Sequence, residues 1–263
     1  MRLVVLGGSA ACPNPGQGCS GYLLLEDNTA MLLDCGPGTL PELLQHISMD
    51  ALDAVIITHL HQDHVLDLVP LRYGLKYAPG LKRRRLSVWL PPGGRRYLDE
   101  LARVVSLGSE RSDDFFTETF EIQEYDPERP LQVRSWRILF HPTRHWVPCW
   151  ALRVEGMQST IAYLADTGWD NSLIQFAQDV DLLIVEATLP PDIENGAREG
   201  HLDAEEAGRI AALAGTRQLL LTHYWATPEV PTEVMRATRH FGGRVYLARP
   251  GLTIDLDERR DQP

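Results

Sequence analysis

Lysine is almost missing from this chain. Two lysines, Lys76 and Lys82, stand against twenty-three arginines, a bias that reads as codon composition and carries no functional signal. Basic charge is scarce altogether, since 25 Lys and Arg face 36 Asp and Glu for a net charge of −11. Nucleic-acid binders usually carry a basic face, because neutralising phosphates supplies much of their affinity. One stretch keeps that class open, Lys82-Arg83-Arg84-Arg85 with Arg95-Arg96, and it reads first as a solvated loop. Cysteine is also rare. Cys12, Cys19, Cys35 and Cys149 form no CxxC pair, which argues against a disulfide-stapled scaffold and predicts reduced, mostly buried thiols. No apolar run approaches membrane-spanning length, and the start MRLVVLGGSA lacks the apolar core of a signal peptide. A cytoplasmic protein without a membrane partner is expected. No repeat, low-complexity tract or linker divides the 263 residues, so one α/β domain over residues 1–263 is the expectation.

What is there is organised around Ala54–His64, AVIITHLHQDH. A β-branched apolar run reads as a buried strand. It ends in His59, His61, Asp63 and His64. In extended backbone His59 and His61, two apart, project to one side, while Asp63 and His64 are expected in the turn that follows. A lone histidine says little. Three imidazoles and a carboxylate within six positions are how zinc or a similar ion is held.

Strands and helices are mixed throughout. Residues 2–6 read as a strand, Tyr22–Glu26 and Ala30–Asp34 as a hairpin, Pro41–Ile47 as a helix and Leu52–Thr58 as the strand of the motif. Val65–Tyr77 has helical spacing with Leu66, Val69 and Tyr73 on one stripe. Phe115–Glu124 and Leu131–Phe140 are predicted strands, and Cys149–Val154 with Thr160–Ala165 a further hairpin. Asp203 is placed to cap a helix running to Ala214, with Glu205 and Glu206 in its first turn.

The opening motif has counterparts. IAYLAD ends at Asp166, LLIVE at Glu186 and LLLTH at His223, while His145 lies between two strands and His201 just before a helix. One polar residue at a strand end is ordinarily structural. Repetition changes the reading, because α/β layers collect functional groups where strands end.

In order, LDCGPGT, THLHQDH, a lone histidine, LAD and LTH resemble the metallo-β-lactamase superfamily. IVEATLP followed by GHLDAEEAG and LLLTHYW resembles its ribonuclease Z-like branch, which includes phosphodiesterases and arylsulfatases. The resemblance implies a four-layer αββα sandwich with two divalent ions, zinc first and manganese or iron as alternatives, at one rim. It assigns His59, His61 and His145 to one ion and Asp63, His64 and His223 to the other, with Asp166 bridging. Two such ions can share a hydroxide that is nucleophilic at neutral pH. His141 competes with His145 for the loop position, and the resemblance favours His145, which directly precedes VPCWALRV as the family's ligand precedes its own strand. Cys149 reads as a packing residue, and nothing distinguishes Asp67 or His46 from solvated polar groups. Asp63, Glu186 and His201 complete the implied catalytic set, with His201 donating a proton to the leaving group and Glu186 orienting it.

Two departures bear on substrate. The arm with which ribonuclease Z clamps transfer RNA has no room between His145 and Asp166, only 21 residues apart, and PNPGQGCSG lacks the basic residues of the corresponding loop. The expected activity is therefore hydrolysis of small cyclic or linear phosphodiesters, with transfer RNA disfavoured and a homodimer expected from the branch. The alternatives are an RNA 3′-end-processing endonuclease, a thioester or aryl-sulfate hydrolase, and a metal-binding protein without turnover.

Overall fold

A computed structural model describes residues 1–82, 84–106, 112–190, 199–226 and 230–256; Arg83 of the basic stretch falls outside them. The first half of the chain builds one mixed sheet. Its strands are β1 (Arg2–Ser9), β2 (Gly18–Cys19), β3 (Gly21–Glu26), β4 (Thr29–Leu33), β5 (Ala54–Ile56), β6 (Leu86–Leu90) and β7 (Phe120–Glu124). The second half supplies β8 (Leu131–Val133), β9 (Trp136–Pro142), β10 (Trp150–Glu155), β11 (Thr160–Tyr163), β12 (Leu182–Glu186), β13 (Gln218–Thr222) and β14 (Arg244–Leu247). The last strand, β15 (Thr253–Asp255), crosses back to pair with β1. The sheet orders are β15-β1-β3-β4-β5-β6-β7, with β2 beside β1, and β14-β13-β12-β11-β10-β9-β8.

Side-chain alternation sorts each sheet into two faces. Leu3, Val5, Leu24, Met31, Leu33 and Ile56 meet Trp136, Ile138, Leu152, Val154, Ile161 and Ile184 in a core between the sheets. Their neighbours face outward. Val4, Leu6, Leu32, Val55 and Val88 pack beneath α1 (Leu40–His46), α3 (Leu68–Tyr77) and α4 (Gly94–Val105). Ala162, Leu183, Val185, Leu219 and Leu221 pack beneath α5 (Asn171–Phe176), α6 (Ala204–Leu213) and α7 (Val230–Ala237). The result is a four-layer αββα sandwich. The capping of α6 is a full capping box, in which Asp203 accepts from Glu206 N at 2.9 Å and Glu206 accepts from Asp203 N at 3.1 Å.

Several local expectations need correction. Asp63 and His64 are not in a turn but in the short helix α2 (Gln62–Val65). The helical stripe after it is Leu68, Leu71 and Leu75, with Tyr73 exposed, because the chain breaks at Leu66–Asp67 and restarts in a new phase. Leu131–Phe140 is two strands folded at Arg134, whose φ is +53°. Of Phe115–Glu124 only the last five residues are strand, and Phe115 and Phe116 are buried in turns instead. The strand before the histidine motif is shorter than Leu52–Thr58, with pairing confined to Ala54–Ile56.

Where β4, β5 and β6 run parallel, and where β11, β12, β13 and β14 do, their C-terminal ends lie at one rim. The segment after β13 reaches the other sheet there, with Tyr224 N donating to Gly8 O and Ala10 N to Tyr224 O, both at 3.2 Å.

Candidate metal centre

Each polar residue at this rim leaves the end of an apolar strand or the start of a helix. His59 and His61 follow β5, and Asp63 and His64 stand on α2. Asp166 follows β11, Glu186 ends β12 and His223 follows β13. His145 comes from the β9–β10 connection, and His201 precedes α6. The backbone is held in the left-handed region at Asp34, Ala165 and His223, with φ of 56°, 53° and 49°. Non-glycine residues rarely adopt it, so the strand ends turn sharply under local strain here.

The side chains form two groups that share Asp166: His59, His61 and His145 with Asp166, and Asp63, His64 and His223 with Asp166. In the first, His145 Nε2 lies 3.1 Å from His61 Nδ1, and Asp166 Oδ2 lies 3.7 Å from His59 Nε2 and 3.9 Å from His145 Nε2. In the second, Asp63 Oδ2 lies 3.1 Å from His223 Nε2 and 3.4 Å from His64 Nε2. Asp166 closes that group at 3.5 Å from His64 and 3.4 Å from His223. Most of these gaps are long for hydrogen bonds. They resemble the edge of a tetrahedron of ligands 2.0–2.1 Å from a central ion, about 3.4 Å.

The orientation of the histidines is equally specific. His64 Nδ1 donates to Asp34 Oδ2 at 2.8 Å, and His145 Nδ1 to the Gly200 carbonyl at 2.9 Å. His223 Nδ1 donates at 2.8 Å to the Thr188 hydroxyl, whose own proton goes to the His223 carbonyl at 2.7 Å. His59 Nδ1 donates at 3.0 Å to the Thr58 hydroxyl, which itself donates to Asp34 at 2.9 Å. Four rings thus turn Nδ1 toward an outward acceptor and Nε2 inward, the orientation in which a cation can take the place of an Nε2 proton. His59 Nε2, His64 Nε2 and Asp166 Oδ1 are buried and without a hydrogen-bond partner. Such atoms are costly unless something satisfies them. The donor set therefore fits a pair of divalent cations.

The electrostatics agree. Burial opposes a charge on Asp166, but His223 and His64 outweigh it and hold the carboxyl well below the usual range. Burial also opposes a charge on Asp63, and the close approach of His223 and His64 prevails, holding the carboxyl well below its usual range. The pull is strong enough that His64, though buried, has its pKa raised by Asp166 and Asp34. His59, buried beside His64, has its pKa lowered. This is a pocket that draws positive charge.

A third group adjoins the second. His201 Nδ1 donates to both oxygens of the fully buried Glu186 at 2.9 Å, and Glu186 also accepts from Thr167 N at 2.7 Å. The His201 ring stacks 5.6 Å from that of His223 and stands edge-on 5.1 Å from that of His145. Burial lowers the His201 pKa, Glu186 raises it, and the carboxylate wins.

Other candidates are placed elsewhere. His141 Nε2 hydrogen-bonds Ser172 Oγ at 2.8 Å and stacks on Phe176, away from both groups. Cys149 is buried, its thiol donating to the Asp166 carbonyl at 3.5 Å, and burial pushes its pKa far up. His46 pairs with Glu42 on α1 at 2.9 Å. Asp67, indistinct in the sequence, accepts from the backbone N–H groups of Gly38, Thr39 and Leu40 at 3.0–3.2 Å, so it caps α1 from a distance. Asp34 was missed. It gathers His64, Tyr163 OH at 2.9 Å and Thr58 N at 2.8 Å, and its signal was a charged residue ending an apolar strand in LDCGPGT.

A β-lactamase superfamily domain model matches residues 29–224. The chain is 32% identical over 251 residues to "Probable metallo-hydrolase YhfI" of Bacillus subtilis, covering 95% of this chain and 98% of that one. The crystal structure of that metallo-β-lactamase fold protein superposes with a TM-score of 0.85 at 29% identity, over 97% and 99% of the two chains. Ribonuclease Z of Ignicoccus hospitalis is 28% identical over 306 residues, covering 94% of this chain and 95% of its own. A diphosphatase of the PhnP family shares the fold, with a TM-score of 0.74 at 18% identity over 97% of each chain. Sequence match, fold and the two carboxylate-linked histidine groups converge: the chain belongs to the metallo-β-lactamase superfamily.

Proposed function

We propose that this protein is a metal-dependent hydrolase of small phosphodiesters, with zinc as the first candidate metal and manganese or iron as alternatives. The observation that carries the reading is the Glu186–His201 pair set directly against two metal-type groups that share Asp166. His59, His61 and His145 would hold one ion, Asp63, His64 and His223 the other, and Asp166 both. Bound there, the ions supply Lewis acidity and a water-derived nucleophile at neutral pH.

The protein's own part is to position and to move a proton. Hydrolysis forms a bond from water oxygen to phosphorus and breaks the bond to the leaving oxygen, which must take up a proton when it is an alkoxide. Glu186, locked by Thr167 N, holds His201 through Nδ1 and so leaves Nε2 to deliver that proton. β-Lactam hydrolysis gives this pair no evident task. Among the relatives, the name metallo-hydrolase supports metal-dependent hydrolysis and the name ribonuclease Z supports phosphodiester chemistry. Between His145 and Asp166 the chain passes straight through the β10–β11 hairpin, which argues for a small substrate over transfer RNA. A homodimer and a cytoplasmic location belong to the same proposal. Among the described residues no helix is long and apolar enough to cross a membrane.

The test is hydrolysis of bis-p-nitrophenyl phosphate by the zinc- and manganese-loaded protein, beside a thioester and an aryl sulfate. Turnover of the phosphodiester alone is expected. Turnover of the thioester alone would overturn the reading, and metal binding without any turnover would make this a binding protein.

A further inference from the structure

Trp146 is the residue of this rim that metal binding and proton transfer leave unexplained. Its side chain is 63% exposed. Single exposed apolar residues are normal, but this one is held in place. One side of the indole lies against Gly200, so closely that a Cβ there would come within 3.0–3.1 Å of three ring carbons. Gly200 also has a φ of +84°, so the position favours glycine twice over. The same glycine accepts the Nδ1 proton of His145 through its carbonyl. The indole further contacts the His145 ring at 5.1 Å and the His201 ring at 5.0 Å. A large flat side chain is thus fixed against one candidate ligand and the candidate proton donor while most of its surface faces solvent.

We propose that Trp146 is a stacking platform that makes this enzyme prefer phosphodiesters carrying a planar aromatic ring, such as a nucleobase or an aryl group. The inference rests on the phosphodiesterase reading above and deepens it. The indole adjoins His201, so a substrate whose scissile bond meets that histidine can lay an attached ring on Trp146. An indole already immobilised loses little side-chain entropy on binding, which favours its use as a platform. Stacking of a base on an aromatic side chain contributes about tenfold to a hundredfold in affinity.

The experiment uses the metal-loaded protein and three substrates with the same scissile group: the cyclic phosphates of adenosine, benzyl riboside and methyl riboside. In the wild type kcat/KM should favour the ring-bearing substrates over the methyl riboside by about tenfold or more, chiefly through KM. In Trp146→Ala that ratio should collapse towards one, and Trp146→Phe should restore most of it. Response of both ring-bearing substrates supports a general aromatic site, and response of adenosine alone supports a nucleobase site. An unchanged ratio with all three rates falling together would overturn the inference, leaving Trp146 as packing for His145 and His201. Calorimetry with adenosine monophosphate and ribose phosphate separates the two proposals. If no substrate turns over, the phosphodiesterase reading fails. The stacking inference then stands only if wild type binds adenosine monophosphate about tenfold more tightly than ribose phosphate and Trp146→Ala does not.

Discussion

Asp34 touches no candidate reacting atom, yet the geometry gives it control of the second metal group. Its Oδ2 accepts from His64 Nδ1 at 2.8 Å and from Tyr163 OH at 2.9 Å, while Oδ1 accepts from Thr58 N at 2.8 Å. Asp34→Asn keeps the volume and one carbonyl oxygen, which Thr58 N retains. The other oxygen becomes an NH2 donor facing three donors, His64 Nδ1, Tyr163 OH and the Thr58 hydroxyl. Tyr163 OH can rotate and accept. His64 can accept at Nδ1 only by moving its proton to Nε2, the atom that faces Asp63 and Asp166. A cation must then displace that proton or bind without His64. Loss of such an orienting partner lowers metal affinity by about 10- to 100-fold, or roughly 1.4–2.8 kcal/mol. The first group should suffer less, because the Thr58 hydroxyl that receives His59 Nδ1 can still donate to the amide oxygen. Losing hydrogen bonds to a buried charge, offset by relief of its desolvation, costs of order 1–3 kcal/mol of fold stability. In a protein this size that lowers Tm by roughly 2–12 °C. Competitive titration against a chromophoric chelator should show one site weakened and the other nearly retained. If the Asp34→Asn variant binds two ions with wild-type affinity, the tautomer argument is refuted, whatever its melting temperature.

Other expectations follow from the same geometry. His201→Ala should lower kcat by about 10²- to 10⁴-fold, the usual worth of a general acid, with metal content by mass spectrometry unchanged; loss of metal in step with activity would make His201 a ligand instead. Chelation should abolish turnover and lower Tm, since an ion at 1,000 times its Kd adds about 4.1 kcal/mol per site; equal melting with and without metal would contradict folded-state binding. Gly36→Ala would set a Cβ 1.9 Å from the Asp63 carbonyl oxygen, a backbone atom that cannot swing aside. That variant should therefore melt lower and hold less than two equivalents of metal, and full metal loading would show that the Asp63 segment tolerates displacement.

The layered fold was largely readable from the chain. Apolar runs such as β3 and β12, buried on both faces, and the capping box of α6 are local patterns that mark a sandwiched strand or one helix end without help from distant residues. Local patterns failed where packing overrode them. Phe115 and Phe116 look like strand residues, but Phe115 lies under the buried Arg72 guanidinium at 4.1 Å and its carbonyl accepts from Arg72 Nε at 2.7 Å, so its backbone serves a side chain rather than a sheet. The helical spacing over Val65–Tyr77 concealed a break, since the chain at Asp67 turns back to cap α1.

The site divides along the same line. Residue type and position at strand ends marked the histidines and carboxylates as candidates, because their chemistry is carried by each side chain alone, while the choice of His145 and the division between two ions came from the resemblance to the superfamily. The sequence by itself also set the two-residue spacing of His59 and His61 and the shortness of the His145–Asp166 span. Only the tertiary structure brought His145 to His61 across 84 residues and His223 to Asp63 across 160. It alone decided which nitrogen of each ring faces inward, through Asp34, Thr58, Thr188 and the Gly200 carbonyl. Those partners are ordinary polar groups with no pattern of their own; their roles arise from sheet register and loop closure, which depend on the packed core and not on local spacing.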